Sequence, residues 1–161
     1  MNVRRSALIA RSADDVFDMI EAAEHYPAFM PWCTKVVVLE RTEELVTATL
    51  TLRFGRVQFD MTTRNPKRRP EWLSVRLDHG PFRRFDGDWH VKPLAAAACK
   101  VEFDLTYEFG GGFVDRAAGR VFDGIADRIV DAFARRAEQL PPRSPAQEPP
   151  LRRAVDVHGA C

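Results

Sequence analysis

Between Leu45 and Phe109 the apolar residues recur at every second position, and beyond Gly110-Gly111-Gly112 they recur at every third or fourth. That change of period constrains the fold more than any other feature of the chain. Val46, Ala48, Leu50, Leu52 and Phe54 share one parity, followed by Val57, Phe59 and Met61, then Leu73, Val75 and Leu77. Phe85, Trp89 and Val91 continue the pattern, and Val101, Phe103, Leu105, Tyr107 and Phe109 complete it. Side chains on a strand alternate between faces, so these runs predict consecutive antiparallel strands with one apolar and one wet face. The breaks at Phe54-Gly55-Arg56, Asn65-Pro66 and His79-Gly80-Pro81 read as turns. From Phe113 to about Gln139 the pattern predicts one long amphipathic helix. Val114, Ala118, Val121, Phe122, Ile125, Ile129, Val130 and Phe133 form its stripe, and Asp131 and Arg135 form an i,i+4 pair on its wet side.

The N-terminal part adds a strand over Val3–Ala10 and a helix begun by Ser12. Ser12 and Asp15 have capping-box spacing, and Val16, Phe17, Ile20 and Ala23 follow at helical spacing. The helix is expected to end near His25-Tyr26-Pro27, because a residue before proline is pushed out of the helical region, and a short turn spans Ala28–Met30. The expected order is β-α-α-β-β-β-β-β-β-α. A single long helix following the strands must cover the concave apolar face of a twisted sheet. The expected fold is therefore α+β, a curved antiparallel sheet of six to seven strands wrapped around a long C-terminal helix. The domain is read as residues 1–139. Residues 140–161, with Pro141, Pro142, Pro145, Pro149 and Pro150, read as a proline-rich disordered tail.

Charge narrows the function. There are 24 Lys and Arg against 23 Asp and Glu, so the chain lacks the basic excess of a dedicated DNA or RNA binder, which leaves room only for a local basic patch. No stretch approaches the roughly 18 apolar residues of a membrane span, and the start of the chain has no signal-peptide pattern. Cys33, Cys99 and Cys161 are few and widely spaced, which suits free thiols in a cytoplasmic protein. His25, His79, His90 and His158 share no metal-ligand spacing with a cysteine or carboxylate, so no metal is expected. No nucleophile motif of the Gly-x-Ser-x-Gly kind occurs, and no catalytic residue is assigned. The Gly110-Gly111-Gly112 run has no Lys-Ser/Thr after it and reads as a hinge, not as a phosphate loop.

Two groups of residues are candidates for binding. The first faces the helix: Phe54, Phe59, Met61, Leu77, Phe82, Phe85, Trp89, Phe103, Tyr107, Ala118, Val121, Phe122 and Ile125, with Trp32 and Phe82 as a lip. These residues either pack as an ordinary core or line a cavity for an apolar ligand. Gly119 in mid-helix either leaves room for that guest or permits close helix–sheet packing. The second group is basic: Arg64, Lys67, Arg68 and Arg69 around two prolines, with Arg83 and Arg84 nearby. It is either a solvated loop or a docking patch for anionic headgroups or ribosomal RNA.

Several strings resemble a known family. They are Tyr26-Pro27-Ala28-Phe29-Met30-Pro31-Trp32-Cys33-Thr34, Thr62-Thr63-Arg64-Asn65, Gly80-Pro81-Phe82 with Gly87-Asp88-Trp89 and Pro93-Leu94, Cys99-Lys100-Val101-Glu102-Phe103, and Gly119-Arg120-Val121-Phe122. In this order and spacing, from about residue 4 to 139, they are similar to the START-like helix-grip superfamily. The branch they resemble is the coenzyme-Q-binding, polyketide-cyclase-like one. The resemblance implies the helix-grip fold and two competing functions. One is binding of an isoprenoid quinone such as ubiquinone, as a carrier supporting respiration, with transient contact at the inner membrane surface. The other is binding a ribosomal subunit and blocking subunit association, as a toxin. A cyclase-like activity is a third, weaker implication. For the carrier, a domain of this size has a radius of gyration of roughly 14 Å, so only a head group and the proximal tail are expected to be buried.

Overall fold

The structure is a computed structural model and describes residues 1–111 and 113–141; within the C-terminal helices, the side chains at 113–115 and 117–118 are not described. Strand β1 spans Asn2–Ile9 and helix α1 Ala13–Glu21, followed by a 3-10 turn at Ala23–Ala28. Strands β2 (Cys33–Arg41), β3 (Leu45–Phe54), β4 (Val57–Arg68), β5 (Trp72–His79), β6 (Phe82–Ala95) and β7 (Ala98–Phe109) come next. Helices α2 (Phe113–Ala126) and α3 (Ile129–Gln139) close the described chain. One antiparallel sheet holds seven strands in the order β1-β7-β6-β5-β4-β3-β2. From β2 to β7 consecutive strands are therefore neighbours, and β1 forms the far edge beside β7. This is the α+β arrangement that the alternation implied and the helix-grip fold that the resemblance implied.

Local chemistry accounts for most of the boundaries. The Asp15 amide donates to Ser12 Oγ at 3.1 Å, so Ser12 caps α1 as its spacing indicated. Val16, Phe17 and Ile20 are each 1% exposed and seat α1 against the sheet. The helix ends at Glu21, earlier than expected, and the chain continues as the 3-10 turn that contains Pro27. Tyr26 fixes this turn by donating its hydroxyl to the Ile20 carbonyl.

Three expectations are corrected. Asn65-Pro66 is not a turn: β4 runs through it to Arg68, with Val46 opposite Asn65 and Leu45 opposite Pro66 in β3. On its other side the β4–β5 ladder is interrupted at Asn65 and Pro66, between Arg64↔Arg76 and Lys67↔Leu73, and this tolerates the missing proline donor. Strand β2, whose residues the alternation did not mark, is the edge strand opposite β1. The C-terminal helix is two helices. The Arg128 amide bonds to the Ile125 carbonyl, an i→i+3 contact that ends α2, and α3 restarts at Ile129. A straight rod does not follow a twisted sheet, and the break lets α2 pack on β7 while α3 reaches β1, β7 and α1.

Candidate functional site

A cavity of about 110 Å³ lies where the sheet, α1, the 3-10 turn and the two C-terminal helices meet. Of the cavity residues expected from sequence, Trp32, Met61, Phe85, Trp89, Phe103, Phe122 and Ile125 line it. Leu73, Val75, Ile129 and Phe133 complete the apolar wall. Trp89 stacks on Phe103 at 4.2 Å between ring centres, and Phe133 meets Trp89 edge-on at 4.9 Å. The wall also carries polar groups that the sequence pattern did not single out: Thr63, Asn65 and Glu21. Thr63 and Asn65 are 2% and 9% exposed, and Asn65 Oδ1 has no hydrogen-bond partner. A buried unpaired amide oxygen is costly, so this atom marks where a water or a ligand hydroxyl gains most. The signal was present: Thr63 and Asn65 share the parity of Phe59 and Met61, but Asn-Pro was read as the end of the strand.

The remaining expected cavity residues are placed elsewhere. Phe54, Phe59, Phe82 and Tyr107 pack with Phe109 and Phe122 into a closed aromatic cluster beneath α2. Phe82 and Phe109 lie 4.4 Å apart, and Tyr107 and Phe122 4.8 Å. Phe82 is buried there and forms no lip. Tyr107 donates its hydroxyl to Asp123, and burial first, then that bond, push its pKa up. Leu77 packs half-buried beside this cluster, outside the cavity. Val121 is 47% exposed and lies on the outer side of α2, whose buried face is carried by Phe122, Ile125 and Ala126. The side chain of Ala118 lies outside the described residues. A Cβ at Gly119 would meet only Phe109, at 3.7 Å, so tight packing does not demand that glycine. Cys33 and Cys99 are buried free thiols, and burial pushes Cys33 up to about 11, which keeps it unreactive at neutral pH.

The basic residues expected to form a docking patch are mostly paired. Lys67 Nζ bonds Glu21 at 3.0 Å, its side chain only 9% exposed, and Arg41 reaches the same carboxylate at 2.7 Å. Arg69 grips Asp18 through two nitrogens, at 2.7 and 2.9 Å. Arg68 lies 3.7 Å from Glu71, Arg83 3.7 Å from Glu108, and Arg84 2.8 Å from Asp86. Arg64, beside Arg76 in a shallow depression, is the exception among them. The Asp131–Arg135 pair expected on the C-terminal helix does not form. Instead Arg128, Arg135 and Arg136 of α3 border an open groove of about 680 Å³ facing Phe29, Pro31 and Trp32.

A family model described as "Polyketide cyclase / dehydrase and lipid transport" matches residues 9–134. The chain belongs to this family. A ribosome association toxin RatA from Pseudomonas aeruginosa is 38% identical over 139 residues, covering 86% of this chain and 96% of that protein. Among solved structures, the Zhui aromatase/cyclase from Streptomyces sp. R1128 superposes with a TM-score of 0.71 at 17% identity, over 86% of this chain and 94% of that one. A START superfamily protein from Mycobacterium smegmatis gives 0.68 at 20% identity, over 87% and 99%. These two structural likenesses speak for the fold alone.

Members of the polyketide cyclase and lipid transport family share this grip, and its interior can be tested against an isoprenoid quinone. Ligand pockets generally span about 300–1,000 Å³, whereas this cavity holds about 110 Å³, and Phe54, Phe59, Phe82 and Tyr107 of its expected wall are packed into the aromatic cluster. The interior as it stands does not fit a quinone ring with its tail. Among the described residues, no group of His, Cys, Asp and Glu is placed to hold a metal, and no helix is long and apolar enough to cross a membrane.

Proposed function

We propose that this chain acts on ribosomes: it binds one ribosomal subunit and blocks subunit association, in the manner the name of its RatA relative indicates, without a catalytic step. The observation that carries the reading is the 38% identity extending over 96% of that toxin's length. The geometry supports it, since the interior is nearly filled while a basic, aromatic groove stays open on the surface. The place of action is then the cytoplasm, and the partner is a subunit and not DNA.

The test is sedimentation of ribosomes in the presence of purified protein. The assembled-ribosome peak is expected to fall as separate subunit peaks rise, in proportion to added protein. An unchanged profile at a large molar excess over ribosomes would overturn the reading.

The unpartnered Asn65 Oδ1 favours a second reading: a small apolar molecule with one hydrogen-bonding group, held between Asn65 and the Trp89–Phe103 stack. A ubiquinone carrier supporting respiration would be the large extreme of this class and requires the aromatic cluster to open. Solvent extraction of purified protein followed by mass spectrometry tests it, and an empty extract with no quinone uptake on reconstitution would remove it.

A further inference from the structure

We propose that the groove between α3 and the Pro31–Trp32 segment is the surface that meets ribosomal RNA, engaging an unpaired stretch of its backbone and a splayed base; this inference rests on the ribosome-directed reading above. Its floor and rim are chemically suited to that occupant. Arg128 and Arg135 are exposed, seven residues apart and so on one side of α3, about 10 Å apart along the axis. Neither has an ion-pair partner among the described residues. Arg136 lies with its guanidinium 5.4 Å from the centre of the Phe29 ring, so one of its faces rests on an aromatic side chain. Among the described residues Asp131 is the one acid bordering the groove, leaving an excess of positive charge there on a chain whose overall net charge is only +1.

Trp32, half-buried, supplies an aromatic face in the opposite wall. Cations that track phosphates beside an aromatic platform are the means by which single-stranded nucleic acid is held without base-specific contacts. The contrast with β4 and β5 strengthens the assignment. There Lys67, Arg68 and Arg69 already have carboxylate partners, and a phosphate would have to displace them.

The probe is a set of salt-washed small and large ribosomal subunits, with bound protein measured by co-sedimentation over a range of salt. Three proteins are compared: the natural chain, Arg128→Glu/Arg135→Glu, and Arg68→Glu. The α3 double variant is expected to bind at least tenfold more weakly at low salt. Its log–log salt dependence should be shallower by roughly 1.4, the value for two lost single-strand phosphate contacts. Arg68→Glu should bind within about twofold of the natural chain, because its charge is already answered. Natural protein that binds a subunit while the double variant binds equally well would overturn this surface and leave the ribosome-directed reading intact. Weaker binding with an unchanged salt dependence would point to a ribosomal protein and overturn the RNA assignment. Failure of the natural chain to bind either subunit would sink the underlying reading, and this inference with it.

Discussion

The two basic regions of this molecule differ as text, and in the fold they differ the opposite way. Arg64, Lys67, Arg68 and Arg69 are crowded into a few residues around two prolines, whereas Arg128, Arg135 and Arg136 are spread along a helix among acids. Folding reverses the impression. Lys67, Arg41 and Glu21 join β4, β2 and the end of α1, and Arg69 ties the end of β4 to Asp18 on α1. Those charges are structural clamps. Arg128 and Arg135 have no ion-pair partner among the described residues and remain available, while Arg136 rests on Phe29. Charge density along a chain therefore says little about charge offered to a partner; what matters is whether an acid from a distant segment has already met it.

The largest expected effect separates clamp from surface directly. Glu21→Ala leaves the buried Lys67 ammonium without its counter-charge and should lower unfolding free energy by about 3 kcal/mol, read from urea denaturation. A loss below about 1 kcal/mol would mean that Lys67 escapes to solvent and the clamp is dispensable. Next comes Arg128→Glu/Arg135→Glu. Its stability should stay within about 0.5 kcal/mol of the natural chain, while subunit binding loses at least about 1.4 kcal/mol, the equivalent of tenfold. A variant that unfolds in parallel with its loss of binding would erase the distinction between the two regions. Arg69→Ala breaks a two-nitrogen grip at a partly exposed site and should cost about 1 kcal/mol, with ribosome binding unchanged.

The smallest effect concerns pH. Burial pushes the Glu24 carboxyl up, but hydrogen bonds from Arg41 and its charge outweigh this and leave it below its ordinary value of 4.5. A lowered folded pKa means that the pair stabilises above the ordinary carboxylate range, and that this is lost as pH falls through the lowered value. The contribution is under about 1 kcal/mol, since the pair is well exposed. Glu24→Gln should therefore lose less stability than the natural chain between pH 6 and pH 3, as measured by urea midpoints. Equal losses would show that Arg41 answers Glu21 alone.

Much of the fold was legible because its dominant physical rule is short-range. Period-2 alternation marks a half-buried strand whatever lies across from it, so the existence and inner face of β3 to β7 could be read, although β4 was cut short at Asn65-Pro66, and Ser12 announced the start of α1. Strand β2 was hidden because Val36-Val37-Val38-Leu39 is apolar at every position, its burial alternating only once the helix side exists: Val37 and Leu39 are exposed and Val36 and Val38 are not. The helix break answers the need to match a helix to a twisted sheet, a property of the assembled layers that no local pattern encodes. The candidate site was legible in part. Aromatic residues on the inner face were identified, but whether an aromatic side chain lines a space or fills it depends on neighbours from other strands, as Phe82 against Phe109 and Phe122 illustrates. Thr63 and Asn65 were within reach, had the parity of β4 been followed past Met61.

Trp32 borders both the interior cavity and the α3 groove. One indole thus serves as a shared partition between an apolar space and a basic one, and any rotation of its ring changes both at once. Linkage makes the consequence quantitative. If an occupant of the cavity favours one position of that ring, it alters the affinity of whatever sits in the groove by a definite factor, and the groove's occupant returns the same factor to the cavity. A small molecule inside and a large partner outside would then be reciprocal effectors, with the emission of one tryptophan reporting on both.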